Sequence, residues 1–373
     1  MIRVGITGQA GFVGTHLYNY LGTLSEEFER IPFEDNFFQD EAKLRAFVRQ
    51  CDAIVHLAAM NRHPDPQVIY NTNIQLVKQL IAALEAEQVS PHILFSSSTQ
   101  EERNNPYGDS KKEGRRLLRE WAERCHGKFT GCIIPNVFGP FGRPNYNSVV
   151  ATFCHRLTHG ETPEIQTDGS IKLIYVGDLC KEFVSRIRSG KSEDPSPIPW
   201  GAERKVSELL AYFMRFKEQY FGKGEFPKLE TPFEIQLFNT FCGYIDTEKF
   251  YPFHLVKHTD NRGTFVETVK LHDLGGLVSF STTHPGITRG NHYHTRKIER
   301  FAVIKGKARI ELRKIGSDKK MSFELDGEQP SFVDMPVWHT HNITNIGDED
   351  LYTIFWINEF YNPADPDTFF EEV

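Results

Sequence analysis

Ile2-Arg3-Val4-Gly5-Ile6-Thr7-Gly8-Gln9-Ala10-Gly11-Phe12-Val13-Gly14 opens the chain, and this order of residue types decides the fold of its N-terminal domain. Ile2 to Thr7 predicts a short buried strand, and the spacing of His16, Leu17, Tyr20 and Leu21 predicts a helix. Between them, Gly-x-x-Gly-x-x-Gly allows a tight turn and close backbone approach. The helix N-terminus then offers N–H groups and partial positive charge to a pyrophosphate. Gly8, Gly11, Phe12, Val13 and Gly14 are therefore candidate cofactor-binding residues. The spacing differs from the commoner Gly-x-Gly-x-x-Gly, but the physics is the same.

Working outward, Glu29 to Phe33 predicts a second strand, after which Glu34 or Asp35 falls about 20 residues past the last glycine, where an acid would bond an adenosine ribose. That favours NAD, whereas Arg30 leaves room for the 2′-phosphate of NADP, and the residues alone leave both open. Glu41 to Val48 reads as helical. Asp52-Ala53-Ile54-Val55-His56-Leu57-Ala58-Ala59 reads as a buried strand ending in small residues, so a dinucleotide can pass close to Ala58. His56 in that strand reads as a satisfied core histidine.

His92-Ile93-Leu94-Phe95-Ser96-Ser97-Ser98 predicts another buried strand, this one ending in hydroxyls. Asn105-Pro106-Tyr107-Gly108-Asp109-Ser110-Lys111 comes next, and at the start of a helix Tyr107 and Lys111 share one face. A phenol, with a reference pKa of about 10, is a poor acid at neutral pH unless a nearby ammonium lowers that value. Lys111 is placed to supply the charge and Ser98 the third hydrogen-bonding group, although Ser97 or Thr99 serves equally while the strand register is open.

Past a further strand at Cys132-Ile133-Ile134, the loop Pro135-Asn136-Val137-Phe138-Gly139-Pro140 should line the substrate side, because ligands gather at the carboxyl ends of parallel strands. Asn136, Arg143, Asn145 and Asn147 are the candidate substrate-binding residues, suited to a diphosphate or a sugar. Leu173 to Asp178 predicts one more strand, Ser189 to Pro199 a loop, and Val206 to Phe221 an amphipathic helix completing this domain. From Phe250 onward alternating strands prevail, with turn signals at Asp260-Asn261-Arg262-Gly263 and Pro285-Gly286. The boundary is placed near Thr240, giving domains 1–240 and 241–373.

Within the second domain lies Gly286-Ile287-Thr288-Arg289-Gly290-Asn291-His292-Tyr293-His294-Thr295-Arg296-Lys297-Ile298-Glu299, with Gly306 seven residues on. In a strand His292 and His294 point to the same face, so two imidazoles reach one metal ion and Glu299 returns as a third ligand. Farther on, Pro336-Val337-Trp338-His339-Thr340-His341-Asn342 places two more imidazoles, His339 and His341, on one strand face, and its resemblance to the second cupin motif implies His341 as the fourth ligand with His339 extra. Three imidazoles and a carboxylate accept Zn, Fe, Mn, Ni or Cu, and redox-inert Zn2+ is the choice here.

The chain has 373 residues, 39% hydrophobic and 25% charged, which is enough for two cores. A net charge of −7 without a basic block argues against nucleic acid and for a small ligand. Six cysteines without Cys-x-x-Cys spacing argue against a Cys-based zinc site and against a disulfide framework. With no signal peptide and no membrane-length apolar run, the sequence predicts a cytoplasmic address and no membrane partner.

Ser, Tyr and Lys in this order resemble the catalytic set of the short-chain dehydrogenase/reductase superfamily, and the Asp52 to Ala59 stretch with Asn73 resembles its extended branch. The pattern Gly-x5-His-x-His-x4-Glu-x6-Gly, with a second motif in which Trp338 replaces the usual Gly, resembles the cupins. The two in this order, with the short Glu101 to Asn104 link, Pro144-Asn145-Tyr146-Asn147-Ser148-Val149, Gly290-Asn291-His292 and Pro366-Asp367-Thr368-Phe369, resemble the CapF family of capsular-polysaccharide enzymes. The resemblance implies an α/β Rossmann-type (extended short-chain dehydrogenase/reductase) domain followed by an all-β cupin (double-stranded β-helix) domain. It implies a UDP-linked 2-acetamido-2,6-dideoxy-4-ketohexose as substrate, C3 epimerisation by the cupin, and C4 reduction with NADPH to UDP-N-acetyl-6-deoxy-L-talosamine, on the way to UDP-N-acetyl-L-fucosamine. A homodimer is expected. Two rival readings are a simple reductase whose cupin only stabilises or dimerises, and a dinucleotide-binding sensor without turnover. Retention of the Tyr/Lys pair weighs against the sensor.

Overall fold

The computed structural model describes residues 1–256, 258–260, 263–265, 268–269, 271, 276–359 and 362–373. The chain runs β1 (Ile2–Thr7), α1 (Phe12–Gly22), β2 (Phe28–Ile31), α2 (Glu41–Gln50), β3 (Ala53–His56), α3 (Pro66–Glu87) and β4 (His92–Ser98). It continues through α4 (Pro106–Cys125), β5 (Phe129–Ile134), β6 (Asn136–Phe138), α5 (Val149–Thr158), β7 (Ser170–Tyr175) and α6 (Val176–Ser189). β8 (Glu193–Pro197), β9 (Ala202–Lys205), α7 (Val206–Phe216) and α8 (Pro232–Cys242) come after these. By contacts the chain divides into one unit of residues 1–138, 142–149 and 169–205 and a second of 139–141, 150–168 and 206–373.

The first unit is a Rossmann-type α/β fold. Its six-stranded sheet has the order β2-β1-β3-β4-β5-β8, and every pairing is parallel. Strands covered on both faces read as nearly continuous apolar runs, and β3 (Ala53, Ile54, Val55, His56) is buried at all four positions. One face carries a core of Phe47, Leu80, Leu84, Leu118 and Trp121 from α2, α3 and α4. The other carries Leu17, Leu21, Leu179, Phe183 and Ile187 from α1 and α6. From β1 the chain first winds to β2, then returns to the other side of β1 at β3, so the strand order reverses between β1 and β3, where ligands of open α/β sheets bind.

Two sequence expectations fail here. The strand expected over Leu173 to Asp178 stops at Tyr175, and Val176 begins α6, whose first turn takes Asp178 as an acid facing the helix N-terminus. The expected loop from Ser189 to Pro199 contains β8, paired in parallel with β5. Its prolines mimic a loop in sequence and are tolerated because β8 is the sheet's edge. Thr240, the sequence boundary, is buried inside α8.

The all-β part of the second unit comprises β10 (Phe253–His254), β11 (His258–Asp260), β12 (Gly263–Phe265), β13 (Leu277–Thr283), β14 (Thr288–Tyr293), β15 (Glu299–Lys305) and β16 (Lys307–Lys314). β17 (Lys320–Asp326), β18 (Ser331–Met335), β19 (His339–Asn345), β20 (Leu351–Ile357) and β21 (Phe369–Phe370) complete it. Asn261 and Arg262 of the expected turn lie outside the described residues. Two five-stranded sheets, β10-β18-β15-β20-β13 and β17-β16-β19-β14-β21, give the cupin architecture. Their core includes Val303, Ile310, Leu312, Val333 and Ile343. All six cysteines are free thiols. Among the described residues no helix is long and apolar enough to cross a membrane.

Candidate active site and metal centre

At the reversal point Gly8 has φ +70°, the left-handed region that favours glycine, and a Cβ there would lie 2.9 Å from the Ala58 backbone. A Cβ on Gly14 would meet the Gly8 carbonyl at 2.2 Å. The β1–α1 turn is therefore closed tightly by these two glycines, with Ala58 against it. The N-terminus of α1 has Gly11 as N-cap without a side-chain cap and no acid in its first turn, so Phe12 and Val13 sit where the orphan amides await an acceptor. Gln9 accepts from the Phe33 amide at 3.0 Å, which ties the loop to the segment bearing Glu34 and Asp35. Arg30 donates to the Tyr18 carbonyl at 3.3 Å and lies over the Tyr18 ring.

Tyr107 and Lys111 occupy the first turns of α4, whose N-cap Asn105 accepts from the Gly108 amide at 2.9 Å. Gly108 has no room for a Cβ, which would stand 2.1 Å from the Gln100 carbonyl, so the short link between β4 and α4 packs directly on this turn. Lys111 is buried, donates to Ser96 Oγ at 3.4 Å, and holds its ammonium 5.0 Å from the Phe95 ring centre and 5.7 Å from that of Tyr107. Burial pushes the Tyr107 phenol up to about 12, with Tyr146 adding to it. Burial likewise pushes Lys111 down to about 8, against the pull of Glu101. In this structure burial, more than Lys111, sets the phenol's value.

The register of β4 separates the three serines. Ser96 and Ser98 share a face by strand alternation, and Lys111 meets that face at Ser96. Ser97 donates to Glu101, which is gripped by Arg115 at 2.7 Å. Ser98 accepts from the Gln100 amide at 3.1 Å, which leaves its hydroxyl proton available to donate. His56 bonds Thr7 at 2.6 Å, stacks on Phe95 and is pushed down to about 3 by burial, with Lys111 adding, as suits a neutral core imidazole. Asn73 pins the Met60 backbone with two bonds and donates to Ser110 at 2.9 Å.

Of the candidate substrate residues, Arg143, Asn145 and Asn147 are exposed on the segment 142–149. Arg143 lies over the Tyr146 ring at 4.9 Å. Arg62 donates to the Asn145 and Tyr146 carbonyls at 3.2 and 3.1 Å, so this segment is fastened to the loop after β3. Asn136 donates one amide hydrogen to the Lys172 carbonyl at 3.2 Å.

In the second unit His292, His294, Glu299 and His341 bring one donor atom each within 4.8 Å of one another. Three imidazole Nε2 atoms converge on the same carboxylate oxygen, Glu299 Oε2, at 3.8, 3.4 and 3.0 Å for His292, His294 and His341. The pairing of β14 with β19 shifts register between Gly290 and His292, and past the shift His292 stands opposite His341. Burial works to raise the Glu299 carboxyl, but the three imidazoles overcome it and hold it well below the usual carboxylate range. Burial lowers His294, yet Glu299 and Asp367 outweigh it and leave it raised. The buried Nε2 of His294 has no hydrogen-bond partner. An orphaned imidazole nitrogen facing a carboxylate and two further imidazoles fits a divalent cation. His339 lies beside Phe141, with ring centres 6.0 Å apart, and burial pushes it down to about 4. Trp338, which stands where cupins usually have Gly, has φ +59° and is stacked on Tyr293 at 5.6 Å.

Residues 4–197 match the NAD dependent epimerase/dehydratase family, and residues 258–369 match the polysaccharide biosynthesis C-terminal domain. A UDP-2-acetamido-2,6-beta-L-arabino-hexul-4-ose reductase of Pseudomonas aeruginosa is 33% identical over 99% of this chain and 98% of its own. The crystal structure of the capsular polysaccharide assembling protein CapF from Staphylococcus aureus covers both chains in full at 34% identity, with a TM-score of 0.63. This chain belongs to the CapF family. A spore coat polysaccharide biosynthesis protein of Bacillus subtilis, SpsL, is 31% identical over 30% of this CapF-family chain and 81% of its own length.

Sequence reasoning misses several residues that this CapF-family fold puts to use. Arg62 sits in a polar loop with no spacing signal. Tyr146 reads in sequence only as part of a loop, and Glu101 only as part of a short link. Asp367 carries no chemical signal beyond the resemblance.

Proposed function

We propose that this protein is a bifunctional nucleotide-sugar enzyme that epimerises C3 of a UDP-linked 2-acetamido-2,6-dideoxy-4-ketohexose and then reduces C4 with NADPH, giving UDP-N-acetyl-6-deoxy-L-talosamine. The observation that carries the reductase half is the placing of Tyr107 and Lys111 on one helix turn against the hydroxyl end of β4. Gly8, Gly11, Phe12, Val13, Gly14 and Ala58 would hold the dinucleotide, which supplies hydride when bound. Tyr107, neutral at physiological pH, donates its proton to the C4 oxygen as hydride reaches C4. The Lys111 ammonium favours the phenolate left behind and would hold the nicotinamide ribose, and Ser98 would orient the carbonyl. Asn136, Arg143, Asn145 and Asn147 would face the sugar and diphosphate. NADPH is assigned on the family's ground alone, because an acid at Glu34 or Asp35 by itself favours NAD and Arg30 is held on Tyr18.

The epimerase half is carried by the convergence of three imidazoles on Glu299 Oε2. A C4 ketone acidifies the C3 proton, so the same functional group serves both reactions. His292, His294, Glu299 and His341 would hold one Zn2+, which would supply strand-pinning or charge stabilisation as a Lewis acid. We assign the reductase to residues 1–240 and the epimerase to 241–373. Because α8 crosses Thr240, the two activities are best separated with point variants of the full chain. The test is solvent-deuterium entry at C3 together with NADPH oxidation, for wild type, Tyr107→Phe and His292→Ala. Loss of metal in His292→Ala with unchanged exchange would remove the ion from the chemistry, and retention of a full equivalent would refute the ligand set.

A further inference from the structure

The last residues of the chain return to the metal-ligand cluster. β21 adds to the edge of β14, pairing Tyr293 with Phe369 and His292 with Phe370. Glu371 donates its amide to the Asn291 carbonyl at 3.0 Å, and its carbonyl accepts from Thr340, which lies between His339 and His341. Arg313 clasps the end of the chain, reaching Glu371 at 2.8 Å and the Glu372 carbonyl at 2.6 Å. Tyr293 is stacked between Trp338 and Phe369 at 5.6 and 5.4 Å. Both strands that carry histidine ligands are thus fastened by the same terminal segment.

Asp367 makes the contact that bears on the site itself. Its carbonyl is 2.5 Å from Nδ1 of His294. A carbonyl only accepts, so the bond requires the proton on Nδ1, and the neutral ring then presents a bare lone pair at Nε2. That Nε2 is the buried nitrogen without a hydrogen-bond partner, 3.4 Å from Glu299 Oε2. The carbonyl is itself held in place. The buried Asp367 carboxylate accepts from the Thr295 amide at 3.1 Å, the Thr295 hydroxyl at 2.6 Å and the Arg296 amide at 3.0 Å. Lys297, also buried, donates to the neighbouring Pro366 carbonyl. The backbone at Asp367 has φ +42°, a conformation that a short polar side chain bonded to nearby amides can support.

We propose that Asp367 is a positioning residue for the metal centre, one that fixes the tautomer and orientation of His294 through its carbonyl while its carboxylate anchors that carbonyl to Thr295 and Arg296. The proposal rests on the reading of His292, His294, Glu299 and His341 as a metal site. Outer partners of this kind typically change metal affinity by about tenfold to a hundredfold when removed.

The experiment uses the full-length chain with Zn2+ and Co2+ as probes. Zn2+ affinity is measured by chelator competition for wild type, His294→Ala, Asp367→Ala and Thr295→Val, with melting of each metal-free protein as the control for folding. Visible spectra are then taken at Co2+ saturation. Expected are one tight site in wild type, its loss in His294→Ala, an affinity lower by about tenfold to a hundredfold in Asp367→Ala, and a smaller loss in Thr295→Val. The Co2+ bands should change in the Asp367 variant at saturation, because the ligand geometry changes; a purely structural role would leave saturated bands as in wild type. If wild type binds no Zn2+, the metal-site reading itself fails. If wild type binds and His294→Ala does not, while the folded Asp367 and Thr295 variants keep wild-type affinity and spectra, the positioning role is overturned. Should Asp367→Ala not fold, Thr295→Val decides by the same criterion.

Discussion

The two sites store their geometry at different ranges. In the first unit Tyr107 and Lys111 lie four residues apart on α4, and the elements that place them, the Asn105 cap and the Gly108 contact with Gln100, lie within a few residues. In the second unit the candidate metal ligands come from β14, the residue just past it, β15 and β19, and His294 is bonded by Asp367, 73 positions later. A site held by one helix turn survives as long as that turn is capped and packed. A site held by paired strands depends on the whole barrel, including its last strand, so distant changes should reach it.

The sharpest way to break this comparison is Tyr107→Phe. General acid catalysis contributes about a hundredfold to ten-thousandfold, so turnover measured by NADPH oxidation should fall at least a hundredfold. C3 exchange should continue unchanged, and near-normal reduction by the variant would remove Tyr107 from its role.

The long-range side is probed by Asp334→Asn. Asp334 on β18 pairs with Arg300 on β15, immediately after Glu299, at 2.8 Å, and both side chains are 1% exposed. Arg300 also bonds the Gly224 carbonyl and lies 3.6 Å over the Phe332 ring. Leaving that guanidinium without its carboxylate should cost about 3–5 kcal/mol. Calorimetry should show a lower melting temperature, with weaker metal retention because Glu299 shares the strand. Unchanged melting would mean that β15 is held by other means.

These range differences also explain what the sequence reveals. The Tyr107/Lys111 pair and the His292/His294 spacing are legible because helix and strand periods are fixed by geometry. The six parallel strands are mostly visible as apolar runs, but β8 is hidden by Pro195 and Pro197 at an edge. Arg62, Glu101 and Asp367 act through pairings across many residues, and no local period marks such partners. Trp338 shows the converse. The sequence flags it as a departure, and its φ of +59° with a Tyr293 stack shows how a bulky residue is accommodated there.

A local perturbation tests the helix-held site more gently. A methyl group at Gly108 would meet the Gln100 carbonyl, so Gly108→Ala should cost about 1–3 kcal/mol by overpacking and displace Tyr107 with its turn. Reductase activity should fall more than C3 exchange, and equal losses would argue that the two sites share their support.

The smallest effect expected is in pH dependence. With Lys111 pushed down to about 8, its ammonium is lost as pH rises through that value, so the reductase rate should decline above about pH 8. The sign for stability is opposite. The unfolded chain holds this proton up to its ordinary lysine range and the folded chain does not, so folding stability contributed by this group rises between those two values. A reductase profile flat to about pH 9.5, between the two lysine values, would contradict a role for the Lys111 charge.

The central claim, two reactions at two independent sites on one 4-keto sugar, is tested most directly by deuterium entry at C3 in D2O, without any nicotinamide cofactor, in wild type and Tyr107→Phe. The account predicts the same exchange rate in both proteins, with NADPH oxidation on later addition of cofactor seen only in wild type. Exchange that needs NADPH, or that disappears in Tyr107→Phe, would contradict it.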